Sequence, residues 1–167
     1  MNKKRTFVKK FKIDMMKYRL IFCFLIALSF PALSQTGNTQ YDKQLADSLG
    51  ADDYGMKSYM FVILKTGSNK MDDKKVLDNL FKGHMENINR LAESGKLIVA
   101  GPLGKNDKAY RGIFILNVKT IEEANTLLET DPIIKEKVLE AEVFEWYGSA
   151  ALPAYLPIHK KIDKSQM

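Results

Sequence analysis

Two runs in this chain, Tyr59-Met-Phe-Val-Ile-Leu64 and Gly112-Ile-Phe-Ile-Leu-Asn-Val118, are apolar with almost no alternation. A strand with one wet face alternates apolar and polar residues, so these runs read as strands buried on both faces. Each is followed by a segment with a different period. Residues 72–94 place Leu77, Leu80, Phe81, Ile88 and Leu91 at helical spacing and stop at Gly95. Thr120 precedes a second amphipathic helix, Ile121-Glu-Glu-Ala-Asn-Thr-Leu-Leu128, with Thr120 and Glu123 in the spacing of a capping box. A second strand, Leu97-Ile-Val-Ala100, ends at Gly101-Pro102. A short helical piece at 132–139 leads to a fourth strand at about 141–147.

The order is β-α-β-β-α-β over roughly 56–147, which is the ferredoxin-like α+β arrangement. Two helices cover one face of a four-stranded sheet. The first and third strands, central in that topology, are apolar on both sides, so the second face also needs a cover. The same face of a second copy supplies one, giving a homodimer with a barrel-like interior. Met60, Val62, Phe114 and Leu116 are the side chains such a partner is expected to cover. Residues 35–55 read as a polar N-terminal arm with a weakly amphipathic stretch at 41–49. Residues 150–167, with Pro153 and Pro157, read as an irregular C-terminal tail.

Charge points first toward nucleic acid and then away from it. The chain carries 26 Lys and Arg against 20 Asp and Glu, net +6. Eight of those basic residues and only one acid fall within residues 1–34, which leaves the remainder at net −1. A near-neutral body has no surplus charge for a phosphate backbone, so nucleic acid is not an expected partner. The first 34 residues have their own logic. A basic stretch ending at Arg19 runs into Leu20-Ile-Phe-Cys-Phe-Leu-Ile-Ala-Leu-Ser-Phe30 and then Pro31-Ala-Leu-Ser34. That is the pattern of a cleaved secretory signal, too short to remain as a membrane anchor. A start at Met15 or Met16 gives the more compact signal. Cleavage after Ser34 leaves an exported chain, periplasmic or secreted, without Cys23, the sole cysteine, and hence with no disulfide, thiolate nucleophile or thiolate metal site.

The residues that can carry chemistry are few. His84 lies in the apolar stripe of the first helix, three after Phe81 and four before Ile88, and so aims toward the sheet. A sheltered imidazole is an acid/base candidate, and it is equally a core histidine satisfied by a carbonyl. Asp131-Pro132 follows the second helix; Asp is a good N-cap and Pro a good first helical residue. A capping carboxylate can also face an imidazole, so the two roles are compatible. Gly101-Pro102, Tyr110-Arg111 and Trp146-Tyr147 sit where they can rim a pocket. Arg111, which suits a carboxylate ligand, and Trp146 are the substrate-binding candidates, although a solvated surface arginine explains the first as well. His159 belongs to the tail. With no His-x-His or His-Glu-x-x-His spacing, no metal site is expected, and no phosphate loop, dinucleotide fingerprint or nucleophile elbow is present.

Taken together, the strand at 59–64, the helix bearing His84, Leu91-Ala-Glu-Ser-Gly-Lys-Leu-Ile-Val-Ala-Gly-Pro102 and the Asp131-Pro132 step resemble the YciI-like (YCII-related) family. The ending Glu145-Trp-Tyr-Gly-Ser-Ala-Ala-Leu152 resembles an exported branch, and the likeness covers about 56–149. The resemblance implies a dimeric α/β-barrel and an active site built on a His and an Asp, which fall here on His84 and Asp131. One branch of that family is a chloromuconolactone dehalogenase, which eliminates HCl from a lactone. An enzyme of the lyase or isomerase kind, needing no cofactor, is the first functional expectation. Its substrate, a small molecule, is not named by the sequence. The alternative is a non-catalytic ligand-binding or structural homodimer of the cell envelope. The wider superfamily also includes haem-binding members, in which case His84 is the expected axial ligand.

Overall fold

In the computed structural model the two non-alternating runs become the inner strands of a four-stranded antiparallel sheet. Residues 38–164 are described; the proposed leader at 1–34 lies outside them. From Asp42 onward the described residues form one compact unit. The order is α1 (Lys43–Leu49), β1 (Met56–Thr66), α2 (Lys74–Glu93), β2 (Leu97–Pro102), β3 (Tyr110–Leu116), α3 (Ile121–Leu128), α4 (Pro132–Lys135) and β4 (Leu139–Ser149). A 3₁₀ turn (Leu152–Tyr155) and α5 (Leu156–Ile162) follow. The strands lie in the order β2-β3-β1-β4, the ferredoxin-like arrangement with β1 and β3 inside.

Local chemistry explains the helix ends. Asp73 caps α2 by accepting the backbone N–H groups of Lys75 and Val76, and Gly95 stops the helix with φ +69°. Thr120 caps α3 through the Glu123 N–H, while Glu123 Oε2 reaches back to the Lys119 N–H rather than to Thr120 itself. β1 and β4 extend well beyond the apolar runs. Polar residues such as Lys57 and Ser58 pair with Gly148 and Tyr147, because backbone hydrogen bonds continue a ladder whatever the side chains.

One expectation about the sheet is corrected. Met60, Val62, Phe114 and Leu116 are not on a face awaiting a partner. They lie under the helices, in a core with Leu91 of α2, Ala124 and Leu128 of α3 and Ile133 of α4. The opposite face carries Tyr59, Ile98 and Ile115, with Phe61 and Val99 packed against them. Side chains alternate across a strand, so when both parities are apolar the sequence has no mark of which set meets the helices.

The tail is corrected too. It is not irregular: the 3₁₀ turn and α5 fold back onto the second face, where Leu152 and Leu156 pack on the Tyr59–Ile115 cluster. The Tyr155 hydroxyl donates to the Ile98 carbonyl, and the Tyr59 hydroxyl donates to the Ser149 carbonyl at 2.9 Å. Burial pushes both phenols above their ordinary pKa. The chain therefore covers part of its own second face. On β4 that face still exposes Phe144 (47%) and Trp146 (37%). Among the described residues no helix is long and apolar enough to cross a membrane.

Candidate functional site

His84 and Asp131 meet. His84 Nδ1 lies 2.6 Å from Asp131 Oδ2, across 47 positions of sequence. His84 is 8% exposed and Asp131 fully buried. The other carboxylate oxygen, Oδ1, accepts the Ile133 N–H at 3.2 Å and caps α4. One side chain thus fills both roles read from the sequence, with one oxygen for each. An ionised carboxylate only accepts, so the nitrogen beside it, Nδ1, is the donor, and in the neutral ring the lone pair is then on Nε2. Among the described residues no buried side-chain nitrogen or oxygen lacks a partner, and Nε2 has none, so Nε2 sits at the accessible edge of the ring.

The walls of the site are aromatic. The Phe114 ring of β3 stacks with the imidazole at 6.0 Å between centroids and 26° between planes. Phe81, one turn earlier on α2, meets it edge-on at 6.4 Å. Phe81 belongs to the apolar stripe in sequence but is 46% exposed, so it stands outside the core. A close approach of backbone to ring sets the geometry. A Cβ at Gly83 would stand 2.7 Å from Pro132 Cγ, so the absence of a side chain there lets α4 close onto α2 next to both members of the pair.

Beside the pair lies a second polar link. Asn87, 6% exposed and one turn beyond His84, accepts from Arg90 Nη2 at 2.5 Å through Oδ1. The same guanidinium nitrogen donates to Thr130 Oγ1 at 2.7 Å. The Thr130 hydroxyl is 2.9 Å from Asn87 Oδ1 and 2.6 Å from the Leu127 carbonyl, which compete for its single proton. None of these residues stood out in the sequence. The usable signal was helical spacing: positions 84, 87 and 91 share a face of α2, so a buried Asn at 87 could have been read from its neighbours.

The remaining sequence candidates lie elsewhere. Trp146 pairs with Tyr59 on the face of the sheet opposite the helices, and Arg111 stands at the irregularity where β3 meets the end of β1; neither bonds to the His84–Asp131 pair. Arg111 Nε donates to Thr66 Oγ1 at 2.6 Å and the residue is exposed. The Trp146 ring contacts Tyr59 at 5.8 Å and lies over Gly148, where a Cβ would stand 2.3 Å from the indole. Tyr147 donates to Asp52, which links β4 to the segment before β1. Tyr110 lines an open groove of about 490 Å³ with Leu103, Gly104, Asn106, Asp107 and Lys108, and this groove shares no residue with the pair. His159, on α5, has an edge contact with Tyr155. Among the described residues no three His, Cys, Asp or Glu side chains converge as a metal site.

No curated protein sequence matches the chain. Among solved structures it is similar to the 5-chloro-2-hydroxyhydroquinone dehydrochlorinase (TftG) from Burkholderia phenoliruptrix AC1100, in complex with 2,5-dihydroxybenzoquinone. The identity is 22%, over 52% of this chain and 92% of that one, with a TM-score of 0.38. Residues 59–147 match the YCII-related domain, more than half of the chain, from within β1 to within β4 and including His84 and Asp131, and the protein belongs to the YCII-related family.

Proposed function

We propose that the protein is a small-molecule enzyme of the lyase or isomerase kind in which His84 moves the proton and Asp131 orients it. The observation that carries this reading is the 2.6 Å contact at Nδ1, which leaves Nε2 as the free base at the accessible edge of the ring. Asp131 holds one tautomer and stabilises the imidazolium that forms when Nε2 takes a proton. The chemistry this permits is removal of a proton from carbon beside a carbonyl or lactone. The C–H electron pair then forms a double bond as a β leaving group departs, or the proton returns at another position. Phe81 and Phe114 supply an apolar wall for the carbon skeleton. Arg111 and Trp146, neither of them bonded to the pair, are candidates for substrate contact where a second copy brings them to its partner's site. The exposed Phe144 and Trp146 strip favours such a homodimer, and the charge pattern of residues 1–34 favours an exported protein.

The test is a thermal-shift screen of small carboxylates and halogenated lactones against the wild type and His84→Ala. A compound that raises the wild-type midpoint, does not raise that of His84→Ala, and is consumed only by the wild type supports the reading. A compound that binds both equally and is consumed by neither leaves His84 as a packed core histidine and overturns it.

A further inference from the structure

We propose that Asn87 and Thr130, tied together by Arg90, are positioning residues that hold Asp131 against His84. This rests on the reading of His84 and Asp131 as a working pair and assigns the structure that keeps them in register. The argument begins with the link between α3 and α4. Asp131 is not on a helix long enough to fix it. It stands between the last turn of α3 and the four-residue α4, with its own N–H donated to the Leu128 carbonyl. Its carboxylate must nevertheless be kept within hydrogen-bond length of a ring carried by another helix.

α2 meets that link with two polar side chains one turn apart. His84 meets Asp131, and Asn87 meets Thr130, the residue immediately before it. Two adjacent residues of one helix face therefore engage two adjacent residues of the link. A single contact is a pivot about which the link can rotate; two contacts a turn apart set both its height along α2 and its rotation. Arg90 closes the arrangement by donating from one nitrogen to both Asn87 Oδ1 and Thr130 Oγ1, bonds strengthened by its charge. Asn87 is 6% exposed, and a buried amide in an apolar helix face persists at a desolvation cost unless it is bonded. None of the three touches the imidazole, so they act through Asp131.

The readout is the His84 Nδ1–H proton, observed by NMR in the full-length protein and assigned by its loss in His84→Gln. In the wild type it is expected downfield, sheltered by Asp131. Thr130→Val keeps the shape and removes the hydroxyl. It is expected to let the pair open more often, so that the proton exchanges with water roughly fivefold faster. Thr130→Ser restores the hydroxyl and is expected to restore slow exchange. Unchanged exchange in a folded Thr130→Val overturns the positioning role, and so does exchange that Thr130→Ser fails to slow. Should Thr130→Val not fold, Asn87→Ala removes the acceptor from the α2 side and is read in the same way. A wild type with no such downfield proton refutes the His84–Asp131 pair itself, a different failure from an unresponsive one.

Discussion

Asp131→Ala removes two bonds made by one carboxylate, and their sizes can be estimated separately. Oδ1 caps α4 through the Ile133 N–H, and loss of a cap of this kind costs about 1 kcal/mol. Oδ2 takes the Nδ1–H of a histidine that is 8% exposed, and a buried donor left without its acceptor costs about 1–3 kcal/mol. Together they predict a loss of about 2–4 kcal/mol, a sizeable share of the ~5–15 kcal/mol that separates native from unfolded states. Asp131→Asn splits the sum. Its amide oxygen can still cap α4, and its NH₂ can donate to Nδ1 once the ring proton moves to Nε2, a neutral bond in place of a charge-assisted one, so the expected loss is about 1–2 kcal/mol, smaller than for alanine. Urea unfolding measures both. With a slope of about 2 kcal/mol per molar, Asp131→Ala should lower the midpoint by roughly 1–2 M with the slope unchanged. A loss below about 1 kcal/mol for Asp131→Ala, or an Asn variant as damaged as the Ala variant, refutes the separation of the two oxygens into cap and partner.

Gly83→Ala gains about 1 kcal/mol of helix propensity but puts a methyl 2.7 Å from Pro132 Cγ, and overpacking against a constrained ring costs about 1–3 kcal/mol. Net destabilisation is expected in thermal unfolding, together with disturbed exchange of the His84 Nδ1–H; a stabilised variant would show that α4 can retreat freely. The hydrogen bond to Asp52 pushes the Tyr147 phenol up to about 12, so that contact favours the fold fully below pH 10 and is lost as the pH rises toward 12. An ultraviolet difference titration against Tyr147→Phe should lack a late-titrating phenol. The same bond holds the Asp52 carboxyl below its ordinary value, and its contribution is present above that value and fades as the pH falls beneath it. Homodimerisation across the face bearing Phe144 and Trp146 predicts a doubled mass in solution at micromolar concentration, and Trp146→Glu should return it to the monomer. Export predicts an intact mass that begins at Gln35 in the envelope or secreted fraction, and retention of Met1 or Met16 there would refute it.

What the residues determine by themselves is local. Unbroken β-forming runs at 59–64 and 112–118 have no amphipathic alternative, so they become inner strands. Helical period puts His84 on the buried stripe of α2, and the Asp-Pro step specifies a cap at Asp131, because both depend on neighbours within one turn. Their meeting was foreseeable only through topology, since two helices on one sheet face bring the middle of one near the end of the other. Where local signals were balanced, tertiary structure decided. Met60 and Phe61 are equally apolar, as are Phe114 and Ile115, so the parity of each strand carried no information, and the helices and tail settled which set each would cover. Pro153 and Pro157 looked like breakers in the tail, yet each stands in the first turn of a helical segment, where a missing N–H costs nothing. Whether that segment folds depended on a second-face cluster for Leu152 and Leu156 to pack on. Gly83, Asn87, Arg90 and Thr130 are unremarkable residues in sequence. They acquire roles only because Pro132 arrives against Gly83 and because side chains some 40 positions apart come within hydrogen-bond length, a distance that the packed fold sets and the local sequence does not.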